Sequence, residues 1–173
     1  NQNRPAACIT SPVQGGYLRR GAAQPAVITG TAAVVAQDGY KFVQYALAWR
    51  AGTETEGDTG WTELTGSPFD TPVTNGTLHS GWDISALGDG WYTLRLSVYD
   101  DWGTVSRTFV PVYVTGDSAA PEEAGSLSVE GNTCAHAVKN GDSFTVRGAA
   151  QPGAIIQQAL VLNEGGNTVK GAT

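Results

Sequence analysis

The stretch WDISALGDGWYTLRLSVYDDWGTVSRTFVPVYV, Trp82–Val114, constrains this chain more than any other. Within it Trp91, Thr93, Arg95, Ser97 and Tyr99 alternate with Tyr92, Leu94, Leu96 and Val98, the period-two pattern of a strand that buries one face. Leu94, Leu96 and Val98 are therefore expected in a core. Asp89-Gly90 before the run and Asp101-Trp102-Gly103 after it supply tight-turn residues, and Val105–Val114 resumes as a return strand. The rest of the chain is read as what is laid against this hairpin.

Working outward, Ala6–Thr10 followed by Ser11-Pro12 reads as a short first strand at a sheet edge, where the missing donor of a proline is tolerated. Ala26–Val34 and Phe42–Arg50 are the second and third strands, separated by Asp38-Gly39. Residues 51–60, AGTETEGDTG, form an exposed loop, and Trp61–Leu64 a short edge strand. Asn75-Gly76 is expected to turn the chain into Thr77–Ile84. With the hairpin this makes seven strands by about residue 115, the count and spacing of one immunoglobulin-like or fibronectin-III-like antiparallel β-sandwich over residues 1–116.

Residues 117–125, small, acidic and containing Pro121, have the make-up of a linker. Beyond it Phe144–Ala150 matches Val27–Ala33 when Gly148 is set on Gly30, and Ile155–Leu162 then matches Phe42–Trp49. Residues 126–173 are thus expected to be a second, partial β-sandwich module of about three strands, too few to bury a sufficient core alone. The literal match of Arg20–Pro25 with Arg147–Pro152 sets a loop on a strand and is taken as coincidence.

Composition narrows function more by exclusion than by assignment. With 40% hydrophobic residues, 23 glycines, 8 prolines and only 15% charged residues, the chain is folded, turn-rich and all-β. A net charge of −6 argues against a nucleic-acid partner. No apolar run approaches the ~20 residues that span a bilayer. The chain contains no methionine, which is expected of a product processed or excised from something longer, such as a secreted protein that has lost its signal.

No reaction is legible. His79 and His136 lack a second ligand at metal-binding spacing, Ser80 beside His79 is not a triad, and no phosphate-binding glycine loop occurs. Neither an enzyme nor a cofactor is expected. Asp83, Asp89, Asp100 and Asp101 fall at turns read as lying near one pole, where calcium is conceivable, but their role as turn formers is preferred. Asn75-Gly-Thr77 is a glycosylation sequence that the turn reading already explains. Among the tryptophans, Trp49, Trp82 and Trp91 are assigned to packing, while Trp61 and Trp102 are the candidate exposed ligand contacts, carbohydrate being the class they would suit.

Ile28-Thr-Gly-Thr-Ala32, Tyr45-Ala-Leu-Ala-Trp49, Trp61-Thr-Glu-Leu64, Trp82-Asp83 and above all Leu87-Gly-Asp-Gly-Trp-Tyr-Thr-Leu-Arg-Leu96 resemble the immunoglobulin-like or fibronectin-III-like modules of large bacterial surface and secreted proteins. The resemblance spans residues 9–116 and carries no catalytic residue. It implies a non-catalytic, extracellular or cell-surface structural or adhesive protein built of modules packed end to end. The alternative is a carbohydrate-binding accessory module.

Two stacked modules would hold Cys8 and Cys134 more than a module length apart, far beyond the ~7 Å Cα limit of a disulfide. The pair is therefore a candidate intersubunit disulfide in a head-to-tail filament. There residues 1–12 of one copy would add a strand to the open edge of the next.

Overall fold

The computed structural model describes residues 5–21, 26–34 and 39–116, together with the backbone of four strands further on. The described residues contain strands and no helix. Eight strands make up the first part: β1 Ala6–Ser11, β2 Tyr17–Arg19, β3 Ala26–Ala33, β4 Phe42–Ala51, β5 Thr62–Glu63, β6 Val73–Trp82, β7 Gly90–Asp100 and β8 Val105–Thr115. They form a three-stranded sheet ordered β1-β3-β6 and a five-stranded sheet ordered β2-β8-β7-β4-β5. Later in the chain β9 Leu127–Glu130 pairs with β10 Thr145–Gly148, and β11 Ala159–Leu162 with β12 Thr168–Ala172, both antiparallel. The linker expected at 117–125 lies outside the described residues.

The strand absent from the sequence reading is β2. It is three residues long, has no alternation to betray it, and runs parallel to β8, with Tyr17 opposite Tyr113 and Arg19 opposite Thr115. It continues the course of β1 but in the other sheet. Pro12 follows β1 directly and has no N–H with which to extend that ladder. The chain then crosses over, Gly15 N donating to Pro111 O (2.7 Å) and Gly16 O accepting from Tyr113 N (2.9 Å).

The core follows from the alternation. Leu94, Leu96 and Val98 of β7 are fully buried, as are Val112 and Val114 of β8 and Leu47 of β4, and Tyr45 nearly so. Register sets Leu96 opposite Leu47 and Leu94 opposite Val110. From the facing sheet come Ile28, Ala32, Leu78 and Trp82, with Ile84 just beyond β6. Burial of each large side chain contributes roughly 1.5–3 kcal/mol. Trp82 closes one end, 1% exposed, while Trp49 is half-buried with its ring edge-on to Tyr92 at 5.6 Å.

Two backbone positions explain local sequence. A side chain on Gly30 would place its Cβ 2.0 Å from the Cys8 carbonyl oxygen, so β1 can lie on β3 only where glycine stands. Asn75-Gly76 is no turn: β6 runs straight through it. Asn75 has a left-handed φ of 48°, and the β3–β6 register shifts between Gly30 and Ala32. The side chain of Thr31 holds this bulge, its Oγ1 accepting from Asn75 N (3.0 Å) and donating to Asn75 Oδ1 (3.1 Å).

The ends of the eight-stranded part lie at opposite poles. Because β1 and β2 travel beside β8 in its own direction, Ala6 lies at the pole of the β7–β8 turn, and Thr115 leaves at the other.

Candidate functional site

The four aspartates do not share a pole. Asp89 precedes β7 and Asp100 ends it, about 35 Å apart at ~3.3 Å per residue. Each is occupied in its own neighbourhood. Asp83 Oδ1 accepts from Ser85 N (2.9 Å), and this bond, with that of the Ser85 side chain, lowers the carboxyl's pKa. Asp100, 4% exposed, accepts at Oδ1 from Trp102 N (3.0 Å) and Thr104 N (2.8 Å). Asp101 accepts from Lys41 N (2.9 Å). Among the described residues no three of His, Cys, Asp and Glu come together as a metal site.

Asp89 does something different. Its Oδ1 receives the Arg20 guanidinium and the N–H of Gly116 (3.1 Å). Arg20 also donates to Leu87 O, and its own N–H to Thr115 O (2.8 Å). The guanidinium passes so close to Gly116 that a Cβ there would lie 2.5 Å from Nη2. This network fastens the end of β8 where the chain leaves the sandwich.

His79 stitches a seam. Its Nδ1 accepts from Gly81 N (3.0 Å), which places the hydrogen of the neutral ring on Nε2, bonded to Thr65 O (3.0 Å). Its ring meets Phe69 edge-on at 5.8 Å, and Phe69 stacks on Tyr45 at 4.9 Å. Tyr45 Oη donates to Leu78 O (2.8 Å), and burial raises the pKa of that phenol. A depression of 490 Å³ lies along this seam, lined by Thr65, Phe69 and Thr77–Gly81. Side chains thus cover the outer edge of β6, and β2 and β5 at the edges of the other sheet are very short, two recognised ways of blunting sheet edges.

The two tryptophans singled out from sequence prove unlike each other. Trp102 stands at the tip of the β7–β8 turn, 71% exposed, with Tyr40 beside it at 5.2 Å. Trp61 is half-buried on the outer face of the five-stranded sheet. The Arg50 and Arg95 guanidinium carbons lie 4.6 and 4.4 Å from the centroid of its ring, Phe109 is 5.9 Å away, and its Nε1 donates to Gly57 O (3.0 Å). Arg50 gathers the acidic loop 52–60, donating to the carbonyls of Glu54, Glu56 (3.1 Å) and Thr59 (3.3 Å).

One row away on the same face, Trp91 meets Tyr113 at 5.4 Å and 80°, and Tyr113 meets Tyr17 at 5.4 Å and 50°. These rings are tilted, not coplanar. Sequence reasoning assigned Trp91 to packing and missed this strip and the arginines on Trp61. The alternation that buries Leu94 and Leu96 was the available signal, since it turns Trp91 and Arg95 outward together.

Cys8, on β1 and largely buried, is disulfide-bonded. The chain's other cysteine, Cys134, lies outside the described residues, as does His136. No protein-family model matches this sequence, and neither does any curated protein or solved structure.

Proposed function

We propose that the chain is a non-catalytic, extracellular structural protein built of immunoglobulin-like or fibronectin-III-like modules, with residues 5–116 forming one of them. The observation that carries this reading is the polarity of that part: the chain enters at one pole and leaves at the other, and its outgoing strand is fastened. Once the disulfide of Cys8 is reduced, tension applied along this axis pulls β2 and β8 in opposite directions. Their parallel hydrogen bonds, together with those of Arg20, are then loaded sideways and at once, not peeled one by one. That is the geometry a spacer needs.

The fold type rests on strand order. A three-stranded sheet faces a five-stranded one, the two-sheet arrangement of sandwiches of the immunoglobulin kind. Strand donation through residues 1–12 forms no part of the reading, because Ala6–Ser11 are paired with β3 in their own sheet. A covalent filament through Cys8 is set aside as well, its sulfur being already bonded in a single chain.

Single-molecule stretching of the full chain under reducing conditions tests the proposal. Pulling by the two ends should need more force than pulling between residue 5 and residue 102, where the β7–β8 hairpin can peel. Equal forces along the two directions would remove the mechanical basis of the reading.

A further inference from the structure

The chain carries a net charge of −6, yet three arginines stand together on the outward face of the five-stranded sheet. Arg50 lies opposite Thr93, Arg95 opposite Ala48 and Phe109, and Arg107 opposite Ser97. Successive arginines are thus diagonal neighbours on adjacent strands, ~7–8 Å apart at their stems. Arg50 is engaged by its own loop. Arg95 and Arg107 are not matched in that way: the carboxylate nearest Arg95 is that of Asp58, 3.9 Å away and 87% exposed, and Arg107 is exposed.

Burial and then the like charge of Arg107 hold the Arg95 guanidinium below its ordinary pKa. The influence of Arg107 is greater than that of either Asp58 or Glu63. An arginine side chain is a cation at neutral pH, so an anion lying between these two would relieve an existing repulsion.

We propose that this face binds an acidic polysaccharide, with Arg95 and Arg107 holding the ring carboxylates and Phe109 lying along the sugar. A uronate ring offers a carboxylate and an apolar C–H face on one rigid frame. That combination suits a forked donor set beside an aromatic. An acidic peptide carries its carboxylates on flexible stems with no flat face attached, and loses more freedom on binding. The proposal stands apart from the structural reading above, since a spacer need bind nothing.

The test is electrophoresis of the full chain through gels containing polygalacturonate, neutral dextran or polyglutamate, at low and at physiological ionic strength. Retardation by polygalacturonate alone is expected, weakening with salt. Arg107→Gln should reduce the affinity about tenfold, the loss expected for one charge-assisted hydrogen bond. Lys41→Gln, at the entry pole, should leave it unchanged. Arg107→Lys should fall between the two, because it keeps the charge and loses the fork. No retardation in any gel, equal retardation by polyglutamate, or an unaffected Arg107→Gln would each overturn the proposal. Far-ultraviolet circular dichroism confirms that the variants are folded.

Discussion

The two poles of the sandwich each depend on one aspartate, and the two are held in opposite ways. At the entry pole Asp100 acts locally, its carboxylate bonding main-chain N–H groups two and four residues further on. At the exit pole Asp89 joins Arg20 to Gly116, residues that meet only once the fold is complete. The first arrangement shapes a turn and the second secures a strand end. A buried aspartate in a turn is therefore expected to matter for stability, and an exposed one at a junction for the fixity of the outgoing chain.

The strand that separates the poles sets the scale. Leu96→Ala, in the middle of β7, should destabilise the protein by ~2–5 kcal/mol in denaturant titration, weakening both poles alike. A loss confined to one pole would mean that the two do not belong to one cooperative unit. Next comes Asp100→Ala, for which we expect a loss of about 2 kcal/mol. Hydrogen exchange should show faster amides at Trp102 and Thr104 and unchanged protection at the exit pole. Acceleration at Gly116 as well would break the comparison.

Tyr45→Phe should cost about 1 kcal/mol at neutral pH, by removing the bond to Leu78 O. Burial raises the folded-state pKa of Tyr45, so the stability linked to its proton is complete below the unfolded value of ~10 and is lost as pH rises through the folded one. Alkaline titration of the two proteins should therefore bring their stabilities closer together above that value, and parallel curves would contradict the burial of the phenol.

Asp89→Asn should cost less than about 1 kcal/mol, as partly exposed ion pairs do, but should quicken proteolysis just after Gly116. If cleavage there is unchanged, the network does not secure the outgoing strand. The smallest expected effect is that of a chelator, which should not shift the melting temperature. A fall beyond the ~4–8 °C that 1 kcal/mol produces in a domain of this size would point to a bound metal.

The same contrast explains how much the sequence reveals. The hairpin, the buried set Ile28, Tyr45, Leu47, Leu94, Leu96 and Val98, and turns such as that of Asp100 are written in short-range patterns. Contacts between distant residues are not. Nothing near Arg20 announces Asp89, and Tyr17–Arg19 has too few residues to show a period. Asn75-Gly76 misleads because a left-handed asparagine serves a bulge as readily as a turn. Only Thr31, forty-four residues earlier, decides between them. Of the two tryptophans, Trp102 was legible from its turn, whereas the surroundings of Trp61 required knowing which faces of β4 and β7 point outward.

Arg50 has a consequence for the loop it gathers. Converging main-chain carbonyls in an acidic loop are what a hard cation is ordinarily recruited to hold. Here a guanidinium rooted in β4 takes that place and arrives with the chain. The loop thus carries its own counter-ion, and its shape should be indifferent to the calcium content of its surroundings.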